Sequence, residues 1–263
     1  MREKNPDSET LIFLGSGGAR FIMISQLLAT GGIWLSLAGT EILLDPGPGS
    51  LVGATKRKLN PEKLSAIILS HRHLDHSGDA NVMVEAMTGG GFNHRGRLFL
   101  PGDALDPEPV VYSFLRDHLE GVEILSEGKS YRVGKVSFQT PIKHLHGVET
   151  YGFNFDTGRH TFSYISDSRY FEALGQSYRG EVMIINTQSV ENRPFLDHLS
   201  VADTERIIFA AKPRVAILTH FGMTVWRAKP WEIAEKMSQK TGTRVIAARD
   251  GMRFDLDRLE PGG

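Results

Sequence analysis

The sequence predicts a mixed α/β chain, for which two sheets faced by helices fit the layer rules of a single domain. Three observations carry this. Apolar runs of four or five residues recur between turn signals, as strands buried on both faces do. In each half of the chain, hairpin-type connections come first and strand–helix alternation follows. The composition is ordinary for a globular protein: 263 residues, 40% apolar and 23% charged, enough to bury about three-quarters of the unfolded surface without disulfide staples. No linker or low-complexity stretch divides it, so residues 1–263 are expected to form one domain.

The elements follow in order. Residues 10–14 form a short apolar strand that breaks at Gly15-Ser16-Gly17-Gly18. Residues 33–37 and 41–44 are strands joined by a tight turn at Ala38-Gly39-Thr40. Asp45-Pro46-Gly47-Pro48-Gly49 cannot continue a sheet. Residues 66–69 are a buried strand, followed by the densest polar cluster of the chain, from His71 to Asp79. A helix is expected over 82–87, stopped by Gly89-Gly90-Gly91, then a strand over 97–100 and a helix over 110–119. Strands and turns fill 122–166, with a hairpin turn at Asp156-Thr157-Gly158-Arg159. After a strand at 182–185, Ser200 opens a helix as its N-cap, which runs to about residue 211 and stops before Pro213. A strand over 215–218, a helix over 231–241 and a strand over 245–248 complete the chain.

Charge and composition exclude several functions. The 30 basic and 31 acidic side chains nearly cancel, so no overall field draws the chain to nucleic acid or to an acidic membrane. Lys56-Arg57-Lys58, the only basic triplet, reads as a solvated helix end. With no cysteine there is no disulfide, thiolate nucleophile or iron–sulfur cluster. No apolar run approaches the roughly 18 residues of a membrane span. The polar first ten residues contain no signal-peptide core, so the expected address is the cytoplasm.

The chemistry centres on His71-Arg72-His73-Leu74-Asp75-His76, which places four potential metal ligands in six residues after a buried strand. On extended backbone His71 and His73 project to one side and can share an ion. As the chain turns, Asp75 and His76 can face a second. Imidazole and carboxylate suit zinc, and also manganese or iron. His144-Leu145-His146, Asp167 and His220 each lie at or near a predicted strand end. An open sheet gathers a site from such positions.

These residues make the sequence similar to the metallo-β-lactamase fold superfamily of metal-dependent hydrolases, from residue 14 to about residue 251. Asp45 matches its first motif; His71, His73, Asp75 and His76 match the second; His146, Asp167 and His220 match the third to fifth. The resemblance implies a four-layer αββα sandwich with two metal ions at one edge. It assigns His71, His73 and His146 to one ion and Asp75, His76 and His220 to the other, with Asp167 bridging. Asp45 would support the second-motif loop. His144 competes with His146 for the third motif. The run from His146 through Tyr151-Gly152-Phe153 resembles the ribonuclease Z branch, which selects His146 and leaves His144 to line the pocket or pack beneath it. The main dizinc β-lactamases carry cysteine where Asp167 stands. The resemblance therefore points away from antibiotics, towards phosphodiesters, lactones and thioesters.

Asp197-His198-Leu199-Ser200 resembles the His-Ser-Thr motif of ribonuclease Z and related phosphodiesterases. Carried over, His198 would protonate the leaving alcohol or bind a phosphate oxygen; the competing reading makes it a helix-entry residue capped by Asp197. The loop Gly15-Ser16-Gly17-Gly18-Ala19-Arg20 also resembles that branch, either as a tight turn or as backbone amides facing an anion. The chain departs from ribonuclease Z in spacing. Only 21 residues separate His146 from Asp167, leaving no room for the arm that grips tRNA. The 53 residues from Asp167 to His220 leave none for the extra domain of β-CASP nucleases.

The implied activity is thus phosphodiester hydrolysis at a dinuclear site with a bridging hydroxide, in which Asp75 and His198 are the catalytic side chains. Zinc is the first choice of metal. The expected partners are a small or short phosphodiester substrate rather than tRNA, no membrane, and a second copy of the chain as a homodimer. A lactonase or thioesterase is the rival. It would make His198 unnecessary and favour an acyl pocket, for which Phe92, Phe195, Phe221, Met223 and Trp226 are candidates. Glyoxalase II needs a helical C-terminal domain that has no room here. An iron-dependent oxygenase and a decayed binding protein are further alternatives, the latter opposed by the complete ligand set. The glycines of segment 89–97 permit a mobile loop over the site.

Overall fold

The computed structural model describes residues 8–193 and 195–259. The first of two sheets contains β1 (Thr10–Phe13), β2 (Ile33–Leu37), β3 (Thr40–Leu44), β4 (Leu64–Ile68), β5 (Arg97–Leu100) and β6 (Gly121–Ile124). The second contains β7 (Ser130–Val133), β8 (Val136–Gln139), β9 (Phe153–Asp156), β10 (Thr161–Ile165), β11 (Val182–Asn186), β12 (Val215–Thr219) and β13 (Arg244–Ala247). A last strand, β14 (Arg253–Asp255), returns to the first sheet and pairs with β1. The orders are β14-β1-β2-β3-β4-β5-β6 and β13-β12-β11-β10-β9-β8-β7.

Each sheet is antiparallel in one part and parallel in the other. Strands β14 to β3 and β7 to β10 pair antiparallel; β3 to β6 and β10 to β13 pair parallel. The sequence order of hairpins first and crossovers later has this cause, since parallel neighbours need a long connection. The β2–β3 turn works because Ala38 and Gly39 both take positive φ, 47° and 76°, which pairs Leu37 with Thr40.

Helices α1 (Ala19–Ser25), α2 (Ser50–Lys56), α3 (Leu74–Ser77), α4 (Ala80–Met87) and α5 (Ser113–Arg116) come from the first half. The second half supplies α6 (Leu174–Ser177), α7 (Val201–Ala211), α8 (Met223–Arg227) and α9 (Pro230–Thr241). Leu35, Ile42 and Phe99 of the first sheet meet Phe153, Phe155, Phe162 and Ile217 of the second in one buried layer. The first sheet's other face packs on α2, α4 and α5, and the second's on α6 to α9 and Ile22 of α1. The architecture is therefore the four-layer αββα sandwich.

The helix ends follow from local chemistry. Ser200 and Asp203 form a reciprocal capping box at the start of α7. Helix α9 has Pro230 in its first turn and a left-handed Gly242 at its end. One expectation fails, and one point left open by the sequence is answered. The helix over 110–119 is the single turn α5, because the Asn81 side chain bonds both Val110 O and Tyr112 N and holds the preceding residues out of a helix. Segment 89–97 does not cover the strand ends that carry the ligand cluster. It leads into the start of β5, and the Arg95 guanidinium bonds Leu64 O at the start of β4, one strand length, about 16 Å, from that edge.

Candidate metal centre

One edge of the sandwich collects the polar residues. Asp45 follows β3, His71 to His76 follow β4, Asp167 follows β10, and His220 follows β12. The loop with His144 and His146 lies between β8 and β9, and Tyr151 N–H bonds Ser70 O to hold it against the end of β4. His73 is extended, with φ −62° and ψ 147°, and the chain then turns into α3. Asp75 and His76 thus sit on a helical turn that puts them in a different ligand group from His71 and His73, although the His76 ring centroid stays 4.1 Å from that of His71. Asp45 and His220 adopt positive φ, 51° and 59°, a costly conformation that clusters at functional sites. Close approach explains two glycines: a Cβ on Gly18 would lie 2.1 Å from the His220 ring, and one on Gly47 would lie 2.0 Å from Asp75 O.

Two groups of ligand-type atoms result. His71, His73 and His146 form one, and Asp75, His76, Asp167 and His220 the other, with the atoms of each group within 4.8 Å of one another. His146 Nε2 is 3.1 Å from His73 Nδ1, and His76 Nε2 is 2.9 Å from His220 Nε2. Asp167 reaches both groups. Its Oδ2 lies 3.4 Å from His76 Nε2 and 3.8 Å from His71 Nε2, and its Oδ1 lies 3.5 Å from His220 Nδ1. His220 Nε2 is 3.2 Å from Asp75 Oδ2.

The residues fit a pair of cations. His71 Nε2, Asp167 Oδ2 and His220 Nδ1 are buried without a hydrogen-bond partner, a rare condition for polar atoms, and they converge on one region. Burial pushes the His71 imidazole well below its usual range and that of His73 down to about 4, which keeps their lone pairs available. Burial also opposes ionisation of Asp167, but His220, His198 and His76 outweigh it and hold the carboxyl well below the usual range. At His76, burial is outweighed by Asp167, Asp75 and Asp45, which raise the imidazole well above its usual value. That balance is a demand for positive charge, which a metal ion can meet as well as a proton. Five imidazoles and two carboxylates suit zinc, manganese or iron.

The outer nitrogens are tied down. Asp45 Oδ2 accepts from His76 Nδ1 at 2.9 Å, from Ser70 Oγ at 2.7 Å and from Tyr164 OH at 2.8 Å. Since the Ser70 hydroxyl proton goes to Asp45, its oxygen accepts from His71 Nδ1, 3.0 Å away. His146 Nδ1 donates to Asp197 O at 2.8 Å. His144 joins neither group. It is buried between Asp167 O, 3.1 Å from Nδ1, and Tyr178 OH, 2.6 Å from Nε2.

His198 Nδ1 lies 3.4 Å from Asp167 Oδ2 and has no hydrogen-bond partner. Asp197 does not cap the helix; Ser200 does, while Asp197 Oδ1 pairs with Arg169 Nε at 3.0 Å. The glycine loop does not offer amides to an anion. Ser16 N–H bonds Asp250, Gly17 N–H bonds Ala29 O, Gly18 N–H bonds Phe221 O and Ala19 N–H bonds Asp75 Oδ2. Nor do the five apolar candidates make one pocket. Phe221 is fully buried, Phe92 is exposed on the far edge, and Phe195 is exposed on the loop before His198. Sequence reasoning missed Ser70, Tyr164, Ser166 and Asn186. Their only signal is a polar residue in or just beyond an apolar strand.

Residues 40–221 match the beta-lactamase superfamily domain. The chain belongs to that superfamily. The uncharacterized protein MJ1374 of Methanocaldococcus jannaschii is 32% identical over 261 residues, 94% of either chain. A solved diphosphatase from the PhnP family superposes with a TM-score of 0.70 at 20% identity, covering 95% of this chain and 98% of its own. The short form of human tRNase Z gives 0.70 at 15% identity, covering 94% and 99%. At such identities the two structures speak for the fold. The chain is thus a hydrolase of the metallo-β-lactamase fold, and the fold implies divalent metals. Among the described residues, no helix is long and apolar enough to cross a membrane.

Proposed function

We propose that the chain is a phosphodiesterase working with two divalent metal ions, zinc first among them. In this reading His71, His73 and His146 hold one ion, Asp75, His76 and His220 hold the other, and Asp167 is shared. When bound, the pair supplies a water acidified towards neutral pH and positive charge against the developing negative charge on phosphorus.

The observation that carries the phosphodiester reading is the place of His198. Its imidazole belongs to neither ligand group, yet its Nδ1 stands 3.4 Å from Asp167 Oδ2. An alkoxide leaving group needs a proton at that boundary, and a thiolate does not. Burial pushes the His198 imidazole down, against the pull of Asp167, which makes its protonated form a stronger acid. The Ser200–Asp203 box fixes the start of α7 two residues later, and the bond from His146 to Asp197 O ties the same loop to the first ligand group.

The short β9–β10 hairpin, with Asp156 paired to Thr161, supports a small or short substrate over tRNA. The dispersed apolar candidates offer nothing in favour of a lactonase or thioesterase. The reading includes the cytoplasm as location and a homodimer as assembly, for which the exposed Phe21, Ile24 and Leu27 around α1 are the surface to test.

His198→Ala should keep both metals yet lose on the order of 100-fold in kcat on diesters with alkyl leaving groups. On p-nitrophenolate esters, whose leaving group needs no proton, the loss should be small. Equal losses on both series would remove His198 from proton transfer.

A further inference from the structure

We infer that Asn186, acting with Tyr164, is the positioning residue for the shared carboxylate Asp167 and thereby for the metal group of Asp75, His76 and His220; the inference rests on the dinuclear reading above. Asn186 ends β11, is 2% exposed, and its side chain lies between two acceptors. Its Nδ2 is 2.8 Å from Asp167 Oδ1 and 3.2 Å from Tyr164 OH. The orientation of the amide follows from chemistry. An ionised carboxylate only accepts, so the nitrogen must face Asp167. The Tyr164 hydroxyl gives its proton to Asp45, so its oxygen accepts the second amide hydrogen.

The result is one directed chain. His76 and Tyr164 both donate to Asp45, Asn186 donates to Tyr164, and Asn186 donates to Asp167. It links Asp45 and His76 of the first sheet to Tyr164, Asn186 and Asp167 of the second. It also occupies Asp167 Oδ1, leaving Oδ2, which has no hydrogen-bond partner, turned to the point between the groups. Two donors on one planar group are required, which aspartate or leucine at this position cannot supply. Of the first group, only His71 is reached, through Ser70.

The test is a competition titration of zinc against a chromophoric chelator, on the wild-type chain, Asn186→Asp and Tyr164→Phe. Loss of a partner behind a ligand costs about 10–100-fold in metal affinity. Asn186→Asp, which also sets carboxylate against carboxylate, should weaken one of two zinc ions by that factor and leave the other nearly unchanged. Tyr164→Phe removes a single oxygen, should weaken the same ion less, and carries the test if Asn186→Asp does not fold. Two zinc ions bound with wild-type affinity in both variants would overturn the inference alone. Equal weakening of both ions would reduce Asn186 to general support and also overturn it. Failure of the wild-type chain to bind two zinc ions would overturn the dinuclear reading, and the inference with it.

Discussion

At His76, His71 and His146 the nitrogen turned away from the cluster meets Asp45, Ser70 and the Asp197 carbonyl, respectively. Each contact fixes a ring and leaves the other nitrogen for a cation. Asp167 belongs to one group and reaches His71 of the other at 3.8 Å, so under the proposed shared role Asp167→Ala should lose at least one metal ion per chain and most activity. Metal analysis of the purified variant, beside its turnover, checks this; full occupancy with full activity would remove the shared role. The six-residue cluster was legible because its density has no structural cause of its own. Spacing could not choose between His144 and His146. They stand two residues apart, and only the fold shows that His144 is enclosed by Tyr178 and the backbone of Asp167. Asn186 was illegible because its apolar strand gives no hint of where the last side chain points.

Elements bring these residues to one edge. β4, β10, β11 and β12 end there, with Ser70 and Ser166 just beyond β4 and β10 and Asn186 at the end of β11, and α3 puts Asp75 and His76 into a separate ligand group while the His76 ring stays 4.1 Å from that of His71. The approach of α1 matters as much. Gly18 lies against the His220 ring and Ala19 N–H bonds Asp75 Oδ2 at 2.7 Å. Gly18→Ala would drive a methyl group into His220, so the variant should bind one zinc ion fewer while still unfolding cooperatively; zinc content and a melting curve measure both. Apart from β14 (Arg253–Asp255), which lies beyond the last strand read in the sequence, strands were legible from apolar runs bounded by Gly and Pro. Helix α1 was not, because a glycine run hides its start, and neither were the single-turn helices α3 and α6, which are too short to show a period. The 110–119 pattern failed for a related reason. Val110, Leu115 and Leu119 do pack on the first sheet, but Asn81 fixes the backbone before Tyr112 in another shape.

Across the whole molecule the proposed ligands come from both sheets: His71 to His76 from the first, and His146, Asp167 and His220 from the second. A bound ion would therefore tie the halves of the sandwich together and stabilise the folded state. At free metal about 100-fold above its dissociation constant the gain is about 2.7 kcal/mol per ion. At roughly 2–4 °C per kcal/mol for a chain of this order, EDTA treatment that removes both ions should lower the melting temperature by on the order of 10–20 °C. No change on chelation would contradict a structural link through metal. Periodicity supports a mixture of α and β, but neither the division into two packed sheets nor which strands pair across long distances. The pairing of Thr10 with Asp255 closes the first sheet across nearly the whole chain, and no local signal announces it. The resemblance to a known superfamily supplied that level of organisation.

The central claim is metal-dependent phosphodiester hydrolysis, and turnover of bis(p-nitrophenyl) phosphate tests it most directly. Protein reconstituted with zinc or manganese should release p-nitrophenolate, and EDTA-treated protein should not. Absence of turnover in protein shown to carry both ions would contradict the phosphodiesterase reading and turn attention to lactones and thioesters.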